Sequence, residues 1–439
     1  MNAPTTLEKL QALVRIPTVS APDPADVDRA AFEAFTRELA RLFPRLHDLE
    51  QVAIAEHGLL VRWPGRSSER PVVLMAHLDV VPVSDDGAGW THPPFGGDVV
   101  DGSVWGRGTL DDKGQLVAIA EAVETLLGRG FVPAQDVWLS FGCTEEVSGS
   151  GASDAVAELR RRGVRPWFVL DEGGAVASEV FPGVSASVGV VGVTEKGVTT
   201  LELVAEGRGG HASTPARRGP TARLARAITR LDAAAMPGRV PEPTVELFRR
   251  LAPHAVLPLR PLLAGAARLE PVLQRALVAA GPESAAMTRT TFAVTMLSAS
   301  PAANVVAQSA RAVVNVRVMV GDTVADAVEH VRRVVGDDVR VDVVDAVEPC
   351  PISPRDDAWA LLESTIEEVF PDAVAAPYVM MAATDARFFT AVCERVYRFA
   401  PFRMSKAQRE AIHSFDEHLG VDDLLDGVRF YERLIQGLA

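Results

Sequence analysis

Two histidines and a recurring set of adjacent carboxylates are the residues of this chain best suited to chemistry. His77 and Asp79 stand two apart in Met75-Ala-His-Leu-Asp-Val-Val, so on an extended segment both side chains leave the same face. An aspartate so placed can fix the tautomer of a metal-bound imidazole and leave the other ring nitrogen free to ligate. Taken alone, the pair fits equally a strand-end histidine satisfied by a nearby aspartate.

Gly106-Arg-Gly-Thr-Leu-Asp-Asp-Lys-Gly114 places Asp111 and Asp112 side by side before a helical stretch. They suit metal ligation, or the capping of that helix, whose N-terminus favours acids. Neither GxGxxG nor GxxxxGKS/T spacing is present to cradle a phosphate. Glu145 and Glu146 follow an apolar run, and two adjacent anions there repel each other unless a cation offsets them. A metal would do so, with one glutamate as ligand and its neighbour as base for a water. Asp171 repeats the pattern of an acid beyond a buried run, and His413 supplies a second imidazole far downstream. No GxSxG elbow or HExxH helix offers a competing hydrolase plan, and Cys143 reads as a buried strand residue, not a nucleophile.

The elements that must position these groups follow from periodicity. An amphipathic helix carries Leu7, Leu10 and Val14. Strands are expected at Pro71 to Ala76, Asp136 to Cys143 and Trp167 to Leu170, alternating with helices at Gln115 to Gly128 and Ala152 to Arg162. That alternation predicts an α/β domain with a mostly parallel central sheet. His77, Asp79, Glu145, Glu146, Asp171 and Glu172 all fall just past strand ends, where open α/β sheets hold ligands.

From about Val190 the texture changes to longer alternating strands (Thr199 to Ala205, Ala312 to Val318, Val339 to Val344) with helices at Thr221 to Leu231 and Thr323 to Val335. This predicts a smaller α+β domain over 190–347, interrupted by a helical insertion around 237–283 and set into a catalytic domain made of 1–189 and 348–439.

Length and composition agree with that plan. The chain has 439 residues, enough for two or three domains at roughly 150 residues each. Hydrophobic residues are 48% and charged ones 23%, an ordinary globular mix. With 44 Lys and Arg against 58 Asp and Glu, the net charge of −14 disfavours nucleic acid and anionic membrane surfaces as partners. Three scattered cysteines argue against a disulfide framework, no apolar run is fit to span a membrane, and the N-terminal stretch lacks a secretory pattern. A cytoplasmic location is expected.

Together the motifs resemble the zinc metallopeptidase family of aminoacylase, acetylornithine deacetylase, succinyl-diaminopimelate desuccinylase and glutamate carboxypeptidase. The likeness runs from His77-Leu-Asp79 through Gly108-Thr-Leu-Asp-Asp112, Glu145-Glu146, Asp171, Gly210-His211 and Asn304 to Arg317, and ends at His413. Trp105 to Lys113, Asp171-Glu-Gly-Gly174 and Thr384-Asp-Ala-Arg-Phe-Phe389 are most similar to the carboxypeptidase S and N-fatty-acyl-amino-acid synthase/hydrolase subgroup.

The resemblance implies a zinc-bearing catalytic domain with an inserted lid that often serves dimerisation. It implies two zinc ions, with cobalt or manganese as substitutes, bridged by Asp111; His77 and Asp171 complete one site, Glu146 and His413 the other. It further implies Glu145 as general base, Asp79 as the residue orienting His77, and a cis bond between Asp111 and Asp112. His211 would stabilise the oxyanion, across a dimer interface in many relatives, while Asn304 and Arg317 would hold the substrate carbonyl and carboxylate. Thr384 and Arg387 would join the substrate site. The chain departs from the family pattern at Asn315, Ala307 and Ala382-Ala383, where Asp, Pro and Gly are common. The implied reaction is hydrolysis of an N-acyl amino acid or of a short peptide with a free carboxylate. A dipeptidase or carboxypeptidase, or a catalytically silent metal- or peptide-binding relative, are the alternatives.

Overall fold

The computed structural model describes residues 4–84, 87–181, 183–215 and 217–439. Its centre is a ten-stranded mixed sheet in which Gln135–Gly142, Ser67–His77, Phe168–Asp171 and Val396–Arg398 lie side by side and parallel. Gln135–Gly142 is buried at every position, as a strand covered by helices on both faces must be. Lys113–Gly128 is buried nearly all round because it packs between the sheet and the C-terminal helix Val421–Gln436, and its low amphipathicity in sequence reflects that. The N-terminal helix Thr6–Val14 opens with a capping box between Thr5 and Glu8 and buries Leu10, Leu13 and Val14.

All six strand and helix segments expected in the first 170 residues are present, with ends that differ by a few residues.

The smaller domain is a four-stranded antiparallel sheet in the order Thr291–Ser298, Ser309–Val318, Gly197–Glu206, Arg340–Val347. Strict alternation along Ser309–Val318 turns Ala310, Ala312, Val314, Val316 and Val318 toward the helices Pro220–Ala233 and Val324–Val335. The sequence places the crossing into this domain at Val190, but Ser187–Glu195 still pairs with Ala373–Met380 in the large sheet. The crossing therefore falls at Lys196, between Glu195 and the strand of the smaller sheet that begins at Gly197. A uniformly apolar strand gives no sign of which sheet receives it.

The helical insertion holds Glu242–Leu251, Arg260–Ala264, Glu270–Ala280 and Pro282–Ala286. Its apolar face, including Leu247, Phe248, Leu251 and Leu277, packs with Ala177, Val188, Val190 and Ala376 of the large sheet. Although interposed in the sequence of the smaller domain, it shares its core with the large sheet.

Candidate metal centre and active site

Parallel strands deliver the acids to one sheet end. His77 closes Ser67–His77, Asp171 closes Phe168–Asp171, and Glu145 and Glu146 lie in the turn after Gln135–Gly142. Asp111 precedes the helix that starts at Lys113, and its bond to Asp112 is cis. His413 arrives from the distant segment after Lys406–Ala411, with a positive φ of 60°.

The carboxylate of Asp111 lies between the two imidazoles. Its Oδ1 is 2.9 Å from His77 Nε2, and its Oδ2 is 3.0 Å from His413 Nε2. Glu146 Oε2 is also 3.0 Å from His413 Nε2. His77, Asp111 and Glu146 converge closely enough to share one ion. Asp171 stands beside this group, its Oδ2 accepting from the Ala386 N–H at 2.8 Å, and its charge is felt by His77 and Asp112.

Asp79 does more than orient His77. The Nδ1 of His77 lies 3.0 Å from the Asp79 carbonyl and 3.4 Å from its Oδ1. The two Asp79 oxygens also accept the backbone N–H groups of Glu145 and Glu146, each at 3.2 Å. One buried carboxylate therefore holds both the first histidine and the glutamate turn. Glu417 has a matching role: it accepts from the N–H groups of Leu110 and Asp111 at 2.8 and 3.1 Å, and pairs with buried Arg107 at 2.7 Å. Nothing in sequence distinguishes Glu417 from a solvated loop acid; its role comes from a strand pairing in which His418–Gly420 lies along Ser103–Trp105.

The electrostatics are those of crowded acids. Burial, reinforced by neighbouring charges, pushes the carboxyls of Glu145 and Glu172 well above the usual range. Burial also raises Asp171 and drives Asp385 up to about 7. His413 is raised to about 10 by its bonds to Asp111 and Glu146. Burial pushes His77 down, yet its bonds to Asp111 and Asp79 outweigh this and leave it raised. Asp111 is lowered, since two imidazoles overcome its burial. Glu146 Oε1 and Asp112 Oδ1 are buried without a hydrogen-bond partner. Such a concentration of anions around two imidazole nitrogens, with an orphaned carboxylate oxygen, is a donor set that divalent ions would satisfy.

The cluster opens into a cavity of about 510 Å³ lined by Asp111, Glu145, Glu172 and His413 at one end. Glu172, which sequence reasoning placed at a strand end without a role, faces Asp111 and Glu145 there. Gly173 next to it has a φ of +109°, a conformation side chains rarely adopt.

The substrate residues expected from the motifs fall in different places. Thr384 lines the cavity, but its hydroxyl donates to buried Glu195 at 2.7 Å, and Glu195 also accepts from Arg398 at 2.5 Å. This threonine ties its loop to the end of Ser187–Glu195, just before the crossing into the smaller domain. Arg387 donates to the Thr384 carbonyl, and its charge acts on Arg317. Arg317 donates to Asn315 Oδ1 at 3.2 Å, so the departure from Asp leaves this guanidinium with a neutral partner. His211 and Asn304 are exposed on a small two-stranded ribbon, where Ala212 N–H donates to the Asn304 carbonyl at 3.1 Å. Neither lines the cavity, and among the described residues neither bonds to the acid cluster.

Comparison with known proteins agrees with this geometry. Over 426 residues the chain is 36% identical to carboxypeptidase S-like protein 2 of Dictyostelium discoideum, spanning 94% of this chain and 81% of that one. It is 34% identical to the N-fatty-acyl-amino acid synthase/hydrolase of Homo sapiens, spanning 98% and 87%. Among solved structures, an M20 family metallo-carboxypeptidase of Sulfolobus solfataricus superposes with a TM-score of 0.72 at 17% identity, covering 99% of each chain. Residues 73–437 match the model of peptidase family M20/M25/M40, and the chain belongs to that family.

Proposed function

We propose that this amide-bond metallohydrolase cleaves N-acyl amino acids, and small peptides with a free carboxylate, using two divalent ions of which zinc is the native one. The observation that carries the reading is the placement of Asp111 between His77 and His413, one oxygen to each, with Glu145 beside them at the cavity. Asp111 would hold both ions, His77 and Asp171 one, Glu146 and His413 the other. Imidazoles mixed with carboxylates suit zinc, cobalt or manganese better than calcium or magnesium. When bound, such ions lower the pKa of water and polarise a carbonyl.

The residues supply the rest. Glu145, buried and held through its backbone by Asp79, takes the proton of the attacking water and returns it to the leaving nitrogen. Arg317, with its neutral Asn315 partner and with Arg387 nearby, would fork onto the substrate carboxylate. The three cysteines are free and buried, which supports a reducing, cytoplasmic place of work.

Amino-acid release from a panel of N-acetyl, long-chain N-acyl and dipeptide substrates tests the reading. We expect release that a chelator cuts by about a hundredfold or more and that zinc restores. Preference for the dipeptides would assign the chain to the peptidase alternative. No release from any member, with zinc stoichiometrically bound, would refute amide hydrolysis of these substrates.

Truncating the carboxylate fork gives a second test. Arg317→Ala is expected to raise KM about tenfold or more for substrates with a free carboxylate and to leave their amidated counterparts nearly unchanged. An equal effect on both sets, in steady-state kinetics, would remove Arg317 from the carboxylate site.

A further inference from the structure

Beyond the acid cluster, the cavity changes character. Its other walls include Ala175, Ala177, Val190, Tyr378 and Met404, all from strands of the large sheet. Phe181 adds a ring that packs at 5.3 Å against Phe248 of the helical insertion. The insertion also reaches the cavity directly, through Ser284 and Met287 at the end of Pro282–Ala286. Met287 is buried and belongs to the same apolar core as Ala177 and Val190.

We propose that this chamber holds the apolar acyl half of the substrate and that Met287 is a specificity-determining residue that sets the acyl length accepted. The proposal rests on the amidohydrolase reading for the position of the scissile amide beside Glu145. Charge then decides which half of the substrate enters. The cations suited to an amino-acid carboxylate, Arg317 and Arg387, do not line the chamber. Arg409 does, and it donates to the Met404 carbonyl at 2.7 Å. An amide positioned at Glu145 with its carboxylate toward Arg317 therefore directs its acyl chain between the sheet and Met287. A volume of about 510 Å³ is in the range of pockets that enclose small ligands. The insertion, remote in sequence from every metal-ligand candidate, is thereby part of the substrate site. A flexible thioether at the closing position suits chains that vary in length.

The test uses two substitutions outside the acid cluster, Met287→Trp and Met287→Ala, each checked for an unchanged melting transition. In the unsubstituted enzyme, kcat/KM for N-acyl amino acids is expected to rise about two- to fourfold per added methylene until the chamber is full. Met287→Trp should lower the ratio of kcat/KM for dodecanoyl over N-acetyl substrates by about tenfold or more, while Met287→Ala moves the optimum to longer chains. Calorimetric binding of dodecanoate, which needs no amide cleavage, should weaken in Met287→Trp in parallel.

The outcomes separate the two readings. Dodecanoate binding that is sensitive to Met287→Trp, without release from any amide, would keep the chamber and overturn the amidohydrolase. Amide hydrolysis indifferent to acyl length, with no binding of dodecanoate, would keep the enzyme and overturn the chamber. If both variants change preference for the amino-acid side chain instead of the acyl group, the chamber holds the other half of the substrate and the proposal is wrong.

Discussion

Glu145→Gln is expected to lower kcat by between about a hundredfold and ten thousandfold, with KM and bound metal nearly unchanged. The substitution keeps the size of the side chain and the backbone N–H that donates to Asp79, so the glutamate turn is preserved. It removes the one property the proposed step requires, the capacity to accept a proton from water and release it to the leaving nitrogen. His413 pairs with Asp111 and Glu146, so a change at Glu145 leaves those ligand candidates in place. Steady-state kinetics combined with elemental analysis of the purified variant makes the measurement. Near-normal turnover with metal bound would show that another group is the base, and Glu172, which faces the same cavity, would be the next to substitute.

The second large effect concerns His211. Its ring is exposed on the small two-stranded ribbon, its Nδ1 accepts from the Ser213 N–H at 3.1 Å, and it does not line the cavity of its own chain. If it stabilises the oxyanion from a second copy, His211→Ala alone should lose about a hundred- to a thousandfold in kcat. Mixing it with Glu145→Gln should then restore activity. Random pairing makes half the dimers mixed, and each mixed dimer has one site with both residues, so about a quarter of the unsubstituted activity is expected.

The smaller sheet offers edges for such pairing. Thr291–Ser298 is an edge strand with Met296 and Leu297 exposed, and Val343 and Val344 are exposed on the opposite edge. Unrestored activity after subunit exchange, with dimers confirmed by sedimentation, would rule out delivery of His211 from the partner copy. A monomer that keeps full activity would exclude it equally.

The order of strands and helices around the acid cluster was legible in the sequence because each obeys a local rule. The burial of Val137 to Phe141 on both faces demands a continuous apolar run, and the run is there. The ligand candidates stood out only as a set, because an acid after such a run, taken singly, fits a solvated loop as well. Thr384 reads as a substrate residue by motif, yet its hydroxyl serves Glu195, a partner 189 positions away that no local pattern connects to it. Glu417 and Arg398 were hidden for the same reason: a charged residue declares a positioning role only once its buried partner is known.

What the sequence by itself determined is the chemistry: the residue types, their place at strand ends, and the excess of carboxylates that calls for cations. The tertiary structure alone decided which of these groups meet. It brought His413 to Asp111 across about three hundred residues, seated the insertion against the large sheet instead of the smaller one, and left His211 outside its own cavity. The physical reason is that side-chain periodicity reports which face of an element is buried, whereas the partner that buries it is selected by packing between elements distant in sequence.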